Sequence, residues 1–501
     1  MTINLMLNAE TLSEGQTVNG SSFVSSVTDS LRRAITQYSV YDSGADGGYF
    51  LLNGVKLSNG AWHTLTAAQF AQLKYVAGSG VGSETISIKA YDGVQWSSAY
   101  STTAKTTAPS GGSTNIVTLL GQLGVSSTVA QQLTVNNSLT YNGMLTILQD
   151  AAVGGMTTTK FNALKTLASL LNKTGGLTTS AYVQQIADDV ILGNSANAYW
   201  NGGSSTATTL GNLSATSTQA QVNELIGKWF LGTDLPSLNV SGIGEQNLSP
   251  TYQTSTLPLF GSGGTPSYLD VNQGYLGDCY FVAALGETAL KNPNLIRNMI
   301  TADGNGAYSV LFYVNGQPDY VTVNSQLPVM GGGYQWANGS KLEFANGSVD
   351  WVALVEKAFV ELNAQTSAAN YGGHQVGNAY QNVNGGTAIT LSEITDQTFN
   401  TYNLYSGESN STLNSLMSTL STDWAAGDEI ILSTPNADNG NLVGDHMYMV
   451  TGVNAAAGTI SIQNPWNTAY SGSLQMSFTD TIAQLAADNV SIYATTGTKV
   501  A

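Results

Sequence analysis

The sequence predicts a multidomain chain in which a β-sandwich module and a small helical bundle precede a larger α+β domain. Three changes of pattern carry this reading. Residues 1–106 alternate apolar and polar in short runs such as "QYSVYD" and "ETISIKAYDG", set off by Gly, Asp, Asn and Ser clusters, as half-buried strands do. Residues 115–232 space their apolar residues at the helical period instead, and residues 263–501 mix both patterns.

In the first module, "GYFLLNG" and "VQWSSAYS" complete a sandwich pattern of short strands between turn residues. The stretch "WHTLTAAQFAQLKYVAGSGVGSETISIKAYDGVQWSSAYS" resembles a cadherin-like repeat module of large exported bacterial proteins. That resemblance implies a spacer, or a module that binds cell-surface or extracellular ligands. Residues 107–114 end "TTAKTTAPSGGST", which has the composition of an exposed tether. The bundle follows in "TYNGMLTILQDAAV", "TTTKFNALKTLASLLN", "TTSAYVQQIADDVILG" and "STQAQVNELIGKWFLG", each opening on Ser or Thr, the residues that cap helix N-termini. Four or five helices are expected over 115–232. Residues 233–262 sustain no period and read as an extended arm. Beyond it, helix-type runs at 279–291 and 351–364 accompany strand runs such as "AYSVLFYVNGQPDYVTVN" and "HMYMVTGVNAAAGTISIQNPW".

Composition narrows the function classes. With 32 Asp+Glu against 15 Lys+Arg, the net charge of −17 argues against a phosphate-binding surface and excludes nucleic acid as a partner. Charged residues are 9% of the chain, where about 25% is usual, and Ser, Thr, Asn, Gln and Gly supply the polarity instead. Such surfaces are common in exported bacterial proteins, so a secreted or cell-surface location is expected, with the cytoplasm as the alternative. The N-terminus lacks the basic and apolar regions of a signal peptide, and no apolar run reaches the roughly 18 residues of a membrane span. A single cysteine rules out an intramolecular disulfide and a multi-cysteine zinc site.

That cysteine, Cys279, opens the apolar run "CYFVAALGETALKN" directly after Gly277-Asp278. At a helix start, unpaired N–H groups and the positive dipole end favour thiolate over thiol. A lone cysteine is by itself more often buried packing than chemistry. The histidines shift the balance. Of His63, His374 and His446, the last begins a strand, and a turn at 454–458 returns the chain so that Asn464 falls opposite Tyr448 and diagonal to His446. Such neighbours stand roughly 7–8 Å apart, within side-chain reach. An amide oxygen that accepts one imidazole N–H fixes the tautomer and leaves the other nitrogen to exchange a proton with sulfur. Gln273, six residues before Cys279, carries an amide able to donate to an oxyanion alongside the Cys279 N–H. Cys279, His446, Asn464 and Gln273 together favour a nucleophilic site over four separate structural roles.

At these residues a family resemblance emerges. "QGYLGDCYFVAAL" is similar to the active-site segment of calpains, the papain-like cysteine endopeptidases, whose pattern there is Q-G-x-L-G-D-C-W. "SQLPVMGGG", "LEFANGSVDWVALVEKAFVELN", "NGGTAITLSEITD", "GDHMYMVTGV" and "IQNPWN" follow in calpain order, over roughly 265–475. The resemblance implies a two-lobed papain-like core over 263–501, with lobes at 263–372 and 373–501. It makes Cys279 the nucleophile, His446 the base and then acid, Asn464 the orienting residue, Gln273 the oxyanion donor, and Trp466 the shield of the His–Asn pair. It further implies calcium as a regulator, with Asp270 and Glu356 matching the carboxylates of a first-half site.

The chain departs from the family pattern at four places. Tyr280 replaces the usual Trp, and Asn467 replaces the Gly after Asn-Pro-Trp. Asp445 replaces the Gly before His446, where a carboxylate would raise the imidazole pKa or add a metal ligand. The acidic loops of a second-half calcium site have no clear counterpart, although Asp396, Asp438 and Asp445 are available. The expected function is a calcium-regulated cysteine endopeptidase acting on protein substrates. Its helical segment 115–232 would serve as a pro-region, released by self-cleavage within 233–262. An inactive adhesin or scaffold that retains the fold is the alternative, and acyl transfer on the same triad is a third possibility.

Overall fold

The structure is a computed structural model. It describes the chain except for residues 1–2, 14, 46, 79–81, 108–115, 175, 239–249, 275, 305, 331–332, 335–348, 367–377, 436–438, 468–473 and 501. His374, Asp438 and most of the expected tether fall outside the described residues. Two compact units emerge. One comprises Met1–Gly121, Ser126–Ser138 and Lys173–Leu177, and the other Gln122–Val125, Leu139–Asn172 and Thr178–Ala501.

In the first unit, a five-stranded sheet runs in the order Glu10–Ser13, Tyr100–Thr107, Gly82–Tyr91, Gln37–Asp42, Trp62–Thr66. A four-stranded sheet contains Thr17–Asn19, Lys74–Val76, Tyr49–Leu52 and Val55–Lys56. Its core joins Val40, Ile86 and Ile88 to Phe23, Phe50 and Tyr75, whose rings meet edge to face. The alternation predicts an all-β module, but the structure also holds a short helix there. Thr66 accepts from the Gln69 N–H and the Gln69 side chain accepts from Thr66, a capping box that starts the helix Ala67–Gln72.

The helical stretch begins as its caps predict. Ser126, Thr140, Thr157, Ser180 and Thr218 each accept an N–H bond from the first turn that follows. Among the described residues, six α-helices form over this stretch, not four or five, and the paired strands Tyr199–Trp200 and Thr208–Thr209 interrupt them. Nor is the stretch a body of its own. Its helices Tyr141–Ala152, Thr158–Leu170, Ala181–Ile191 and Gln219–Ile226 belong to the compact unit that contains residues 250–500. Residues 239–249 of the arm lie outside the described residues; the described parts on either side are fixed by strand pairing and not by internal pattern. Thr251–Thr254 pairs antiparallel with Gln326–Met330, and Ser237 forms a parallel bridge to Ala379.

Two lobes meet in the second unit. The first holds the sheet Ile300–Gly304, Ala307–Val314, Gln317–Asn324 and the helices Cys279–Lys291 and Trp351–Thr366. The second is a six-stranded antiparallel sheet, in the order Gln397–Asn403, Ser491–Lys499, Ile430–Ser433, Met447–Asn454, Thr459–Gln463, Ser477–Thr481. The Cys279 helix is apolar all round and therefore central: Phe281, Val282, Ala283, Ala284 and Leu285 are fully buried. On one side Phe281 stacks on Phe359 at 3.9 Å. Its core is continuous with Ile431, Met447 and Met449 of the second lobe, and a Cβ on Gly286 would overlap the Met449 sulfur. The helix thus packs against both lobes, with its N-terminus at their junction.

Candidate active site

A cleft of about 420 Å³ opens at that junction, lined by Gly277, Cys279 and Tyr280, by the strap residues 385–387, and by Ser433, His446 and Met447 of the second lobe. Cys279 sits in the first turn of its helix with Asp278 as N-cap. Its thiol is partly exposed, and burial pushes it up to about 12, against the N–H groups of Met447, Tyr280 and Cys279 itself, which favour the thiolate. Burial likewise pulls His446 down to about 4, against the Asn464 hydrogen bond. Burial thus disfavours the charged form of both groups.

The hairpin that carries His446 pairs Met449 with Gln463 and Val450 with Ile462, so the next residues outward are Tyr448 and Asn464, as the turn placement predicts. A bulge between Val450 and Gly452 shifts the register nearer the turn. His446 Nε2 lies 3.0 Å from Asn464 Oδ1, which also accepts the Trp466 N–H at 2.9 Å. Because that oxygen only accepts, Nε2 carries the proton and Nδ1 keeps its lone pair. Trp466 sits over the pair, its ring 4.9 Å from the imidazole, and the Tyr448 ring meets the imidazole edge-on.

Gln273 stands close by but outside the cleft lining. Its main-chain N–H donates to Pro465 at 2.9 Å, while its side-chain amide donates to the Leu276 carbonyl at 2.7 Å and to Asp278 at 3.3 Å. To donate to an oxyanion, that amide must leave Leu276 and Asp278. The Cys279 and Tyr280 N–H groups are the donors already aimed at the sulfur.

Two departures from the family pattern share one explanation. Asp445 and Asn467 both adopt left-handed backbone, at φ of 50° and 41°. Gly takes that conformation most easily, and Asp and Asn are the side chains that tolerate it best. Asn467 adds bonds from its amide to the Leu269 and Val271 carbonyls. Asp445 is exposed at the cleft mouth and is not among the groups that act on His446, whose shift is downward and set by burial. The expected rise from this carboxylate does not occur.

Tyr280 shows what replaces the family's Trp. Its hydroxyl donates to the Val383 carbonyl at 2.9 Å, its own carbonyl accepts from Thr390, and a Cβ on Gly386 would overlap its ring. Asn384 was not singled out by sequence reasoning. Its side chain accepts the Gly277 N–H at 2.7 Å while Gly385 donates to the Gly277 carbonyl, so the strap is tied to the Cys279 loop. The only sequence signal for it was its place in "NGGTAIT".

The expected calcium ligands are not assembled into one site. Asp270 is half-buried and accepts from the Trp351 indole at 2.8 Å and the Ser267 N–H at 2.9 Å. Glu356 is 1% exposed, and its carboxyl is hydrogen-bonded with that of Asp278 beneath the Cys279 helix. Calcium takes about six to eight oxygen ligands that must reach the ion; Asp270 fits as one of them and Glu356 does not. Asp396 pairs with Lys499 at 2.5 Å. Among the described residues, no group of three or more His, Cys, Asp or Glu is placed to hold a metal. His63 lies in the first unit against Ser58.

A thiol at a helix start and an imidazole tied through Nε2 to an amide thus line one cleft. Residues 251–480 match the family model described as calpain family cysteine protease. Calpain-13 of Rattus norvegicus is 26% identical over 273 residues, covering 50% of this chain and 36% of the relative. The calpain-2 catalytic subunit of Gallus gallus is 27% identical over 266 residues, covering 48% and 35%, and calpain clp-4 of Caenorhabditis elegans is 31% identical over 132 residues, covering 25% and 16%. The chain thus spans about a third of the length of the first two relatives.

Proposed function

We propose that the second unit is a cysteine endopeptidase using Cys279, His446 and Asn464. The observation that carries this is a single cleft lined by Cys279, at a helix N-terminus, and by His446, whose Nε2 is tied to Asn464. His446 Nδ1 takes the Cys279 proton, and sulfur attacks the carbonyl carbon of a peptide bond. The oxyanion is held by the Cys279 N–H and, once turned from Leu276, by the Gln273 amide. The imidazolium then protonates the leaving amine, and the acyl-enzyme is hydrolysed by water that gives its proton to His446. Trp466 keeps bulk water off the His–Asn bond.

Wild type and Cys279→Ala, incubated with an unstructured protein, test the proposal by mass mapping of products. Equal fragment patterns for the two would refute it, and the same digests report any self-cleavage within 233–262. The alternative, a scaffold with the fold but no turnover, draws on the burial of Cys279 and His446, which disfavours thiolate and imidazolium. Stoichiometric labelling of Cys279 by a thiol-reactive epoxide separates the two, since a scaffold stays unlabelled. Calcium regulation is proposed on the family resemblance, with Asp270 as its remaining candidate ligand; no chemical step depends on it, and a chelator titration measures its effect.

A further inference from the structure

The helices upstream of the protease domain are bonded to it along one line that begins at a sheet edge. Gln317–Asn324 is an outer strand of its three-stranded sheet, and an outer strand leaves N–H and C=O groups in need of partners. Here the upstream segment supplies them. The Gln185 amide accepts the Tyr320 N–H at 3.2 Å and donates to Asp319 at 2.6 Å. The Thr322 hydroxyl donates to the Trp229 carbonyl and lies 2.7 Å from the Tyr182 hydroxyl. Gly232, at φ of 58°, lies so close to the strand that a Cβ would overlap the Val323 backbone. Trp229 and Phe230 are fully buried at this seam.

The same segment then turns toward the cleft. Asp234 is buried, pairs with Lys228 and accepts the Asn201 and Gly202 N–H groups at 2.6 and 2.8 Å. The Asn378 amide donates to the Asp234 carbonyl at 2.8 Å, the Asn378 N–H donates to Asn201 at 3.3 Å, and Ser237 exchanges main-chain bonds with Asn378 and Tyr380. Asn378 opens the strap that ends at the cleft residues 385–387. The far end of that strap is held by Tyr280, Gly277 and Asn384.

We infer that residues 139–172 and 178–238 are a permanent part of the peptidase unit, sealing the outer strand Gln317–Asn324 and, through Asn201, Asp234 and Ser237, positioning the strap 378–387. A cut in 239–249 therefore nicks the chain without releasing the segment, and Asn378 is a positioning residue for substrate binding. The second clause rests on the peptidase reading; the first does not.

The test uses the full chain with a recognition sequence for a sequence-specific protease inserted between residues 243 and 244, in the Cys279→Ala background so that the chain cannot cut itself. After cleavage the two fragments are expected to co-elute on size exclusion and to melt in the same cooperative transition as the uncut chain. Separation of the upstream fragment from a soluble, cooperatively folded remainder would overturn the inference. Separation followed by collapse of the remainder would likewise overturn the claim that a nick leaves the segment in place. In the Cys279 background, Asn378→Ala is expected to raise KM about 3- to 10-fold, the size of one lost hydrogen bond, with kcat little changed. An unchanged KM would remove the positioning role. If wild type neither cleaves peptide nor labels at Cys279, the peptidase reading fails, while elution and melting still decide whether the segment is integral.

Discussion

His446 Nε2 lies 3.0 Å from Asn464 Oδ1, and the same oxygen accepts the Trp466 N–H. Two donors on one acceptor leave the Asn464 carbonyl a fixed point, and the imidazole plane is set by it. Asn464→Ala removes that fix and leaves Nε2–H buried without a partner. The loss of about 1–3 kcal/mol for such a group corresponds to about 5- to 160-fold in kcat. Steady-state kinetics on a peptide substrate checks this, with KM expected to move less than kcat.

The left-handed backbone at Asp445 and Asn467 makes a prediction that separates shape from charge. Asp445→Gly and Asn467→Gly are expected to fold normally. Asp445→Val should lower stability by about 1–2 kcal/mol, because a β-branched side chain meets the backbone in that conformation. Denaturant melts of the variants measure the difference.

Reactivity of Cys279 should follow pH. With the thiol pushed up to about 12 by burial and His446 neutral, the free protein holds little thiolate at pH 7. Iodoacetamide labelling should therefore rise about tenfold per pH unit from 7 to 9, following the thiolate fraction. A rate flat over that range would show a preformed thiolate–imidazolium pair instead.

Behind the Cys279 helix, Glu287 and Glu429 are both buried, with Thr288 donating to Glu429 at 2.6 Å and the Ile430 N–H donating to Glu287 at 3.3 Å. Burial pushes both carboxyls up, Glu429 to about 8. The folded state keeps these protons where the unfolded chain, titrating near pH ~4, has lost them. The Glu429 contribution is complete below about pH 4 and is lost as pH rises through about 8, and Glu287 acts in the same direction. His446 acts in the opposite sense, its contribution present above about 6.5 and lost as pH falls toward 4. The melting temperature should accordingly fall between pH 6.5 and 8.5, and Glu429→Gln should flatten that slope.

Much of the site was legible because it is written in local pattern. The helix start at Cys279 shows in the change from Gly-Asp to an apolar run, and the hairpin that brings Asn464 toward His446 follows from counting residues across a turn. The Ser and Thr caps announced the helices of the middle segment. Less was legible where the partner lies far along the chain. Thr251–Thr254 has no alternation of its own and becomes a strand only because Gln326–Met330 offers it an edge. Glu356 looks in sequence like a solvated helix carboxylate, and burial against Asp278 gives it a different place.

The sequence by itself determined which groups are present at the site and which elements carry them, since residue type, period and capping act over a few residues. It also determined that Asp445 and Asn467 can stand where Gly is usual, because conformational tolerance belongs to the residue. Only the tertiary structure decided the burial that disfavours the charged forms of Cys279 and His446, the turning of Gln273 toward Leu276, the tie from Tyr280 to Val383, and the joining of residues 139–172 and 178–238 to the compact unit that contains residues 250–500. Those outcomes depend on desolvation and on contacts such as the one spanning 103 residues from Tyr280 to Val383, and no local pattern specifies either.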